Sequence, residues 1–217
     1  MTFVSASYAQ ETGTLLQRKA AQIDTRDANA ARLTMRNFAA CIASRSKGRL
    51  AKLLALPVGT PEYAKMSRAM FDREGDECLS GGELSFSMKL LRGSFFEAVY
   101  MQDFGRDTVL DLATVGDSGY RARYAEPLDP EGAYVLAFEQ FGECVVRART
   151  AAARDLVTSI PGSATESSAL AVLAPALGPC LPKGRKIVFS KPVLRGFISE
   201  GLYWLSAAKR STAGVAK

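Results

Sequence analysis

The chain contains no histidine. That excludes Ser–His and Cys–His nucleophilic catalysis, histidine-ligated zinc and histidine pH switching. Tryptophan occurs once, at Trp204. No stretch approaches the roughly 18 consecutive apolar residues of a membrane span, so no transmembrane segment is expected. None of the four cysteines stands in a Cys-x-x-Cys pair, which argues against a zinc knuckle. Neither a metal nor a cofactor is expected.

What is present is globular in character. Apolar residues make up 47% and charged residues 23% of 217, enough for one large domain or two small ones. The net charge of +6 biases partners toward anionic surfaces without naming one. Ser7-Tyr8-Ala9, before Gln10-Glu11-Thr12, reads like the end of a secretory signal, but the apolar segment that should precede it is nearly missing. Residues 1–23 are therefore either a signal remnant or an ordinary flexible terminus.

The chain repeats itself. Phe38-Ala39-Ala40-Cys41-Ile42 matches Phe141-Gly142-Glu143-Cys144-Val145 at an offset of 103. At the same offset Leu53-Leu54 falls on Leu156-Val157, and Gly59-Thr60 on Gly162-Ser163. Cys78-Leu79 pairs with Cys180-Leu181 after the loss of one residue. Leu91-Arg92-Gly93, Glu97 and Tyr100 then match Leu194-Arg195-Gly196, Glu200 and Tyr203, a shared L-R-G-x-x-x-E-x-x-Y block. Apolar, turn, cysteine and polar positions recur in one order, whereas a chance helical period would repeat only the apolar ones.

Each copy reads as four helices. Asp129-Pro130-Glu131 is an N-cap, a first-turn proline and a first-turn acid, and Tyr134, Phe138, Phe141 and Val145 follow at helical spacing. A second helix covers Lys47–Leu56 and Ala151–Thr158 and stops at Pro57 or Pro161, with Gly59 or Gly162 beyond. A third runs from Pro61 to Phe71 and from Ala164 to Leu177. Short extended pieces, Leu84–Phe86 and Ile187–Phe189, precede a fourth helix capped by Ser87 or Ser190.

The expected fold is all-α: a tandem duplication of a four-helix unit, each unit closed by one disulfide, packed as a bilobed helical domain. The repeats span 24–104 and 129–208, joined by a glycine-interrupted connector over 105–128, with an unstructured tail over 209–217. Gaps of 37 and 36 residues pair Cys41 with Cys78 and Cys144 with Cys180. Four reduced core thiols are the alternative.

Four features could carry chemistry. Gly93, Glu97 and Tyr100 share one helix face, as do Gly196, Glu200 and Tyr203. The two glutamates could form an acid/base pair across a cleft. A glycine in mid-helix more often marks close backbone approach, with the glutamate satisfying a buried arginine or a helix end. Arg92 and Arg195 are near, but are expected on a different face. Asp72, Glu74, Asp76, Ser80 and Glu83 take calcium-loop positions, yet Glu77 stands where the turn needs glycine, so a solvated acidic turn is expected. Lys183, Arg185, Lys186, Lys191 and Arg195 form a basic run that could bind an anion, and Arg45, Lys47, Arg49 and Lys52 a smaller one. No nucleic-acid-binding module accompanies them, so no nucleic acid is expected and a solvated face is the plainer reading. Trp204, beside Tyr203, reads as core more readily than as a binding groove.

The run F-x-x-C-V, L-V-x-x-x-P-G-S, A-P-A-L-G-x-C-L-P and F-S-x-x-x-L-R-G-x-x-x-E-x-x-Y resembles a group of exported alphaproteobacterial proteins of unknown function. It is clearest over Phe141–Tyr203 and weaker over Phe38–Tyr100. The resemblance implies a periplasmic or secreted setting and supplies no activity. The expected role is a non-enzymatic binding, adaptor or structural protein, with an envelope protein or anionic surface as partner. The alternative is a carboxylate-based hydrolase or lyase acting on an envelope polymer through Glu97 and Glu200.

Overall fold

A computed structural model describes residues 25–79, 88–105, 111–116, 118–119, 121–124, 130–182 and 187–215. These residues form seven α-helices: α1 (Thr25–Leu54), α2 (Pro61–Cys78), α3 (Met88–Phe104), α4 (Pro130–Ala148), α5 (Thr150–Thr158), α6 (Ala164–Cys180) and α7 (Lys191–Val215). A single 3-10 turn, Arg121–Arg123, lies before α4.

Local signals place the helix boundaries. Gly59 and Gly162 both adopt positive φ, 91° and 84°, the left-handed turn that a side chain would strain. Thr60 and Ser163 follow as N-caps, each side chain accepting a backbone N–H three residues on, from Tyr63 and Glu166.

The two helices expected in the first half meet across a kink. α1 continues through a kink at Ser46 (φ −134°, ψ 36°). The corresponding residue of the second half, Arg149 (φ −148°, ψ 56°), separates α4 from α5. The backbone leaves the helical region at the same place in both halves. In the first, the Ser46 hydroxyl donates to buried Glu74 at 2.6 Å, which anchors the kink.

Other expectations are corrected. α2 runs on to Cys78, so Asp72, Glu74 and Asp76 lie on a helix rather than in a loop or turn. Glu74 there is held below its ordinary value by Ser46, Arg45 and Arg49, and a helix cannot wrap these three carboxylates around calcium. Ser80, Glu83 and the Leu84–Phe86 piece lie outside the described residues, and Ile187–Phe189 forms no strand. α7 extends to Val215, past Lys209, where the tail was expected to lose structure. Its last turns are held in part by Arg210, which donates to the Asp103 carbonyl at 2.7 Å and lies over the Phe104 ring.

Disulfides close both halves: Cys41–Cys78 ties α1 to the end of α2, and Cys144–Cys180 ties α4 to the end of α6, with Cα–Cα distances of 5.7 Å in each. Loops of this length contribute roughly 3–4 kcal/mol in the chain-entropy model. No described helix is long and apolar enough to cross a membrane.

Two large buried clusters form most of the core, with a small third one at Tyr124 and Leu136. Phe38, Ile42, Leu53, Leu91, Phe95 and Phe96 centre the first. Phe141, Val145, Leu156, Leu173, Ile198 and Leu202 centre the second, joined by Tyr100 and Phe104 from α3. Each such side chain contributes about 1.5–3 kcal/mol on burial. Because α3 reaches into the second cluster, the halves share a core instead of merely touching. α7 is the hub and packs on α3, α4 and α5.

Candidate functional site

The site is built around the crossing of α3 and α7. Gly93 and Gly196 meet there backbone to backbone. A Cβ on Gly93 would come closer to the Gly196 Cα than real side chains approach, and one on Gly196 would sit 3.1 Å from the Gly93 Cα. Glycine is the only residue that permits this separation at Gly93.

On either side of the glycines, the halves exchange ion pairs. Arg92 donates to Glu200 (Nη2–Oε1 2.8 Å), and Arg195 donates to Glu97 through both Nε (2.7 Å) and Nη2 (2.8 Å). All four side chains are buried. Each arginine also closes the helix end in its own half. Arg92 Nη2 donates to the Leu54 carbonyl and Nη1 to that of Leu56, and Arg195 Nη2 donates to the carbonyls of Val157 and Ser159. The acceptors correspond at the 103-residue offset, so the device is the same on both sides. The arginines thus face the crossing, contrary to the expectation that they point elsewhere. A side chain as long as arginine reaches around the helix from a position one residue before the glycine. Burial alone would lower the Arg92 pKa, but the Glu200 carboxylate outweighs it and keeps the guanidinium charged.

Tyr100 and Tyr203 are packing residues at this depth. Tyr100 stacks on Phe104 with centroids 5.6 Å apart, and Tyr203 lies against Phe96 and Phe104 at 5.6 and 5.8 Å. Trp204 packs edge-on to Phe96, and Arg123 lies over its indole at 4.1 Å. Of the basic run, Arg195 is buried and Lys191 is exposed, while Lys183, Arg185 and Lys186 lie outside the described residues. In the smaller run Arg45 and Arg49 meet Glu74, and Lys47 meets Asp103.

The two sides of the crossing differ in what fills them. Beside the Arg195–Glu97 pair, Arg36 Nε reaches Glu97 at 3.0 Å, and Arg32 pairs with Glu166. Glu166 also accepts from Arg195 Nη1 (3.1 Å) and from the Gly162 N–H (2.8 Å). Burial pushes the Glu166 carboxyl up, but Arg32, the Gly162 N–H and Arg195 outweigh it and hold it below its ordinary value. Only about 20 Å³ of space remains there, lined by Arg32, Met35, Arg36 and Glu97 among others.

On the opposite side is a cavity of about 410 Å³. Arg92 and Glu200 form its polar floor with Glu139, and Val58, Leu90, Val135, Phe138, Phe189, Val193 and Phe197 are among its apolar walls. Val135, Phe138 and Glu139 stand 103 residues after Arg32, Met35 and Arg36. The two spaces therefore correspond. One is filled by guanidinium groups, and the other is open and apolar. Tyr134 and Val188, both exposed, are at its rim.

Glu139 is 1% exposed. Its Oε1 accepts from the Tyr124 hydroxyl at 2.9 Å, and its Oε2 accepts no hydrogen bond. The nearest cations are Arg92, 3.8 Å from Oε1, and Arg123, 3.9 Å from Oε2. Burial, and then the Glu200 charge, push the Glu139 carboxyl up to about 8. A cavity of this size with a few convergent polar groups and a perturbed acid has the character of a small-molecule site.

Sequence reasoning did not find Glu139. Its signal in the sequence is a difference at the 103-residue offset: arginine at 36 against glutamate at 139. No protein-family model matches the chain, and neither does any curated protein or solved structure compared with it.

Proposed function

We propose that the chain is a non-enzymatic binding protein of the bacterial periplasm or cell surface. It arose by tandem duplication of a four-helix unit, and one of the two spaces flanking the helix crossing has been kept open for a ligand. The observation that carries this reading is the contrast between the spaces: Arg32 and Arg36 occupy one, while Val135, Phe138 and Glu139 leave about 410 Å³ in the other. Matched kinks, capped turns, disulfides and reciprocal Arg–Glu pairs support the duplication. The disulfides are consistent with an extracytoplasmic location, and the resemblance of Phe141–Tyr203 to exported alphaproteobacterial proteins points the same way.

The hydrolase or lyase reading has weaker support. Glu97 and Glu200 line different spaces, and each is engaged by an arginine of the other half. A buried carboxylate committed to a guanidinium is a poor proton donor or nucleophile, because chemistry would leave that cation unpaired.

Titration with N-phenyl-1-naphthylamine, an uncharged dye that fluoresces in apolar surroundings, tests the binding reading. One saturable site is expected, and Val135→Trp, which fills the cavity, should abolish it without lowering the melting temperature by more than a few degrees. Absence of uptake by the wild-type protein, or unchanged uptake by Val135→Trp, would overturn the reading.

A further inference from the structure

The binding reading leaves open what the cavity takes and which way round the occupant lies. Its floor is polar in composition but closed to a ligand. Arg92 gives Nε and Nη2 to Glu200, and Nη1 and Nη2 to the Leu56 and Leu54 carbonyls. Glu139 accepts from Tyr124 and has Arg123 at 3.9 Å. No more than 4% of Arg92, Glu139 or Glu200 is exposed. These groups are turned on one another. A polar head pushed down to them would give up its water and find no partner in exchange.

We propose that the cavity receives the hydrocarbon tail of a single-chain amphiphile, which enters tail first, its last carbons on the Arg92–Glu200 floor and its polar head at the mouth. This rests on the binding reading above and names the chemistry and orientation of its ligand.

The walls suit a chain. Val58, Leu90, Val135 and Val193 supply branched methyl groups. The three phenylalanines of the wall spend their ring faces within the protein: Phe138 stacks on Phe197 at 5.0 Å, and Phe189 stacks on Phe141 at 4.9 Å. Phe189 also stands edge-on to Phe138 at 5.8 Å. What is left for an occupant is ring edges and methyl groups, which a flexible chain follows more closely than a flat ring does.

The helices set the direction. Phe138 of α4 packs on Phe197 of α7, and four residues further along both helices Gly142 meets the backbone of Gly201. The two helices therefore run side by side in the same direction. Their first turns flank the mouth, where Tyr134 and Val188 are exposed, and the floor lies deeper along both. Glu139 is five residues past Tyr134, and Glu200 is seven past Val193, which places the floor about 8–10 Å down at the helical rise. A tail of that reach buries its methylenes along the whole path, while its head stays in water and sheds none.

Trp204 reports on the deep end. It is the sole tryptophan, sits one turn past Glu200 in α7 and shares a small cluster with Val135 of the cavity wall. Bromine quenches indole fluorescence at short range. Bound to the full chain at saturation, 10-bromodecanoate, with bromine at the tail end, should quench Trp204 more strongly than 2-bromodecanoate, with bromine beside the head. Decanoate should displace N-phenyl-1-naphthylamine. From hexanoate to decanoate the affinity should rise about three- to fourfold per methylene until the chain outgrows the cavity. Quenching by the 2-bromo acid at least as strong as by the 10-bromo acid overturns the proposal, as does affinity that is flat with chain length. Failure of decanoate to displace a bound dye overturns it too. In those cases the cavity still binds and the binding reading stands. If the dye is not taken up either, that reading fails together with this one.

Discussion

Arg36 and Glu139 occupy corresponding positions on opposite sides of the α3–α7 crossing and carry opposite charges. Arg36 Nε reaches Glu97 at 3.0 Å, while Glu139 faces Arg92 and Glu200. Reciprocal pairs hold the crossing on both sides, but the third member differs. A guanidinium extends and fills the space beside its pair, while a glutamate leaves it open, with Val135 and Phe138 continuing the apolar wall. The asymmetry between otherwise matched halves is the strongest sign that one side has a use beyond holding the fold.

The crossing pairs should be costly to break. Arg92→Met leaves Glu200 buried without its cation, and Arg195→Met leaves Glu97 with Arg36 alone and takes one of the two arginines from Glu166. Each should lose about 3–5 kcal/mol in urea unfolding. Arg195→Met should be the worse, because Arg195 also bonds Glu166, Ser159 Oγ and the Val157 and Ser159 carbonyls. A loss below about 1 kcal/mol for either would show that the pairs do not hold the halves together.

The glycines should be unequal. At Gly93 an added Cβ runs into the Gly196 backbone, which cannot yield without separating the helices. At Gly196 the added Cβ meets Gly93 Cα at 3.1 Å, a contact that a small shift relieves. Gly93→Ala should cost about 1–3 kcal/mol as an overpacked core position, and Gly196→Ala less. Chemical denaturation of the two variants side by side checks the order; equal losses would contradict the geometry.

Stability should respond to pH on both sides of neutrality. The Glu139 carboxyl rises from 4.5 to about 8 on folding, so the stability tied to its proton is fully present below 4.5 and is lost as pH climbs through about 8. Glu166 is depressed, so its contribution is present above 4.5 and disappears as pH falls through its folded value. Glu139→Gln removes the first effect alone. Melting temperatures taken from acid to alkaline pH should show the variant gaining on the wild type as pH rises, with the acid limb unchanged. A constant gap between the two would mean that Glu139 is ionised in the folded protein throughout.

Much of the architecture is legible in the sequence. Proline–glycine turns and the Thr60 and Ser163 caps mark helix boundaries because capping and φ preferences act over a few residues. The cysteine spacing foretold both disulfides, since each bridge closes within its own half. The break between the first two helices of each half was legible too, at Ser46 and Arg149, but the hydroxyl bond from Ser46 to Glu74 was not, because its acceptor is supplied by another helix.

The repeated glycine and glutamate of the L-R-G-x-x-x-E-x-x-Y block stood out in the sequence, as did the structural reading of close backbone approach. What the sequence could not state was the exchange. Helical period tells which residues share a face, but the counter-charge for Arg92 lies 108 residues away, and only the crossing of α3 and α7 decides that it comes from Glu200. The open cavity has the same origin. Side-chain length at 32, 36, 135 and 139 can be read from the letters, but the volume left over exists only once two helices have fixed how far apart the walls stand.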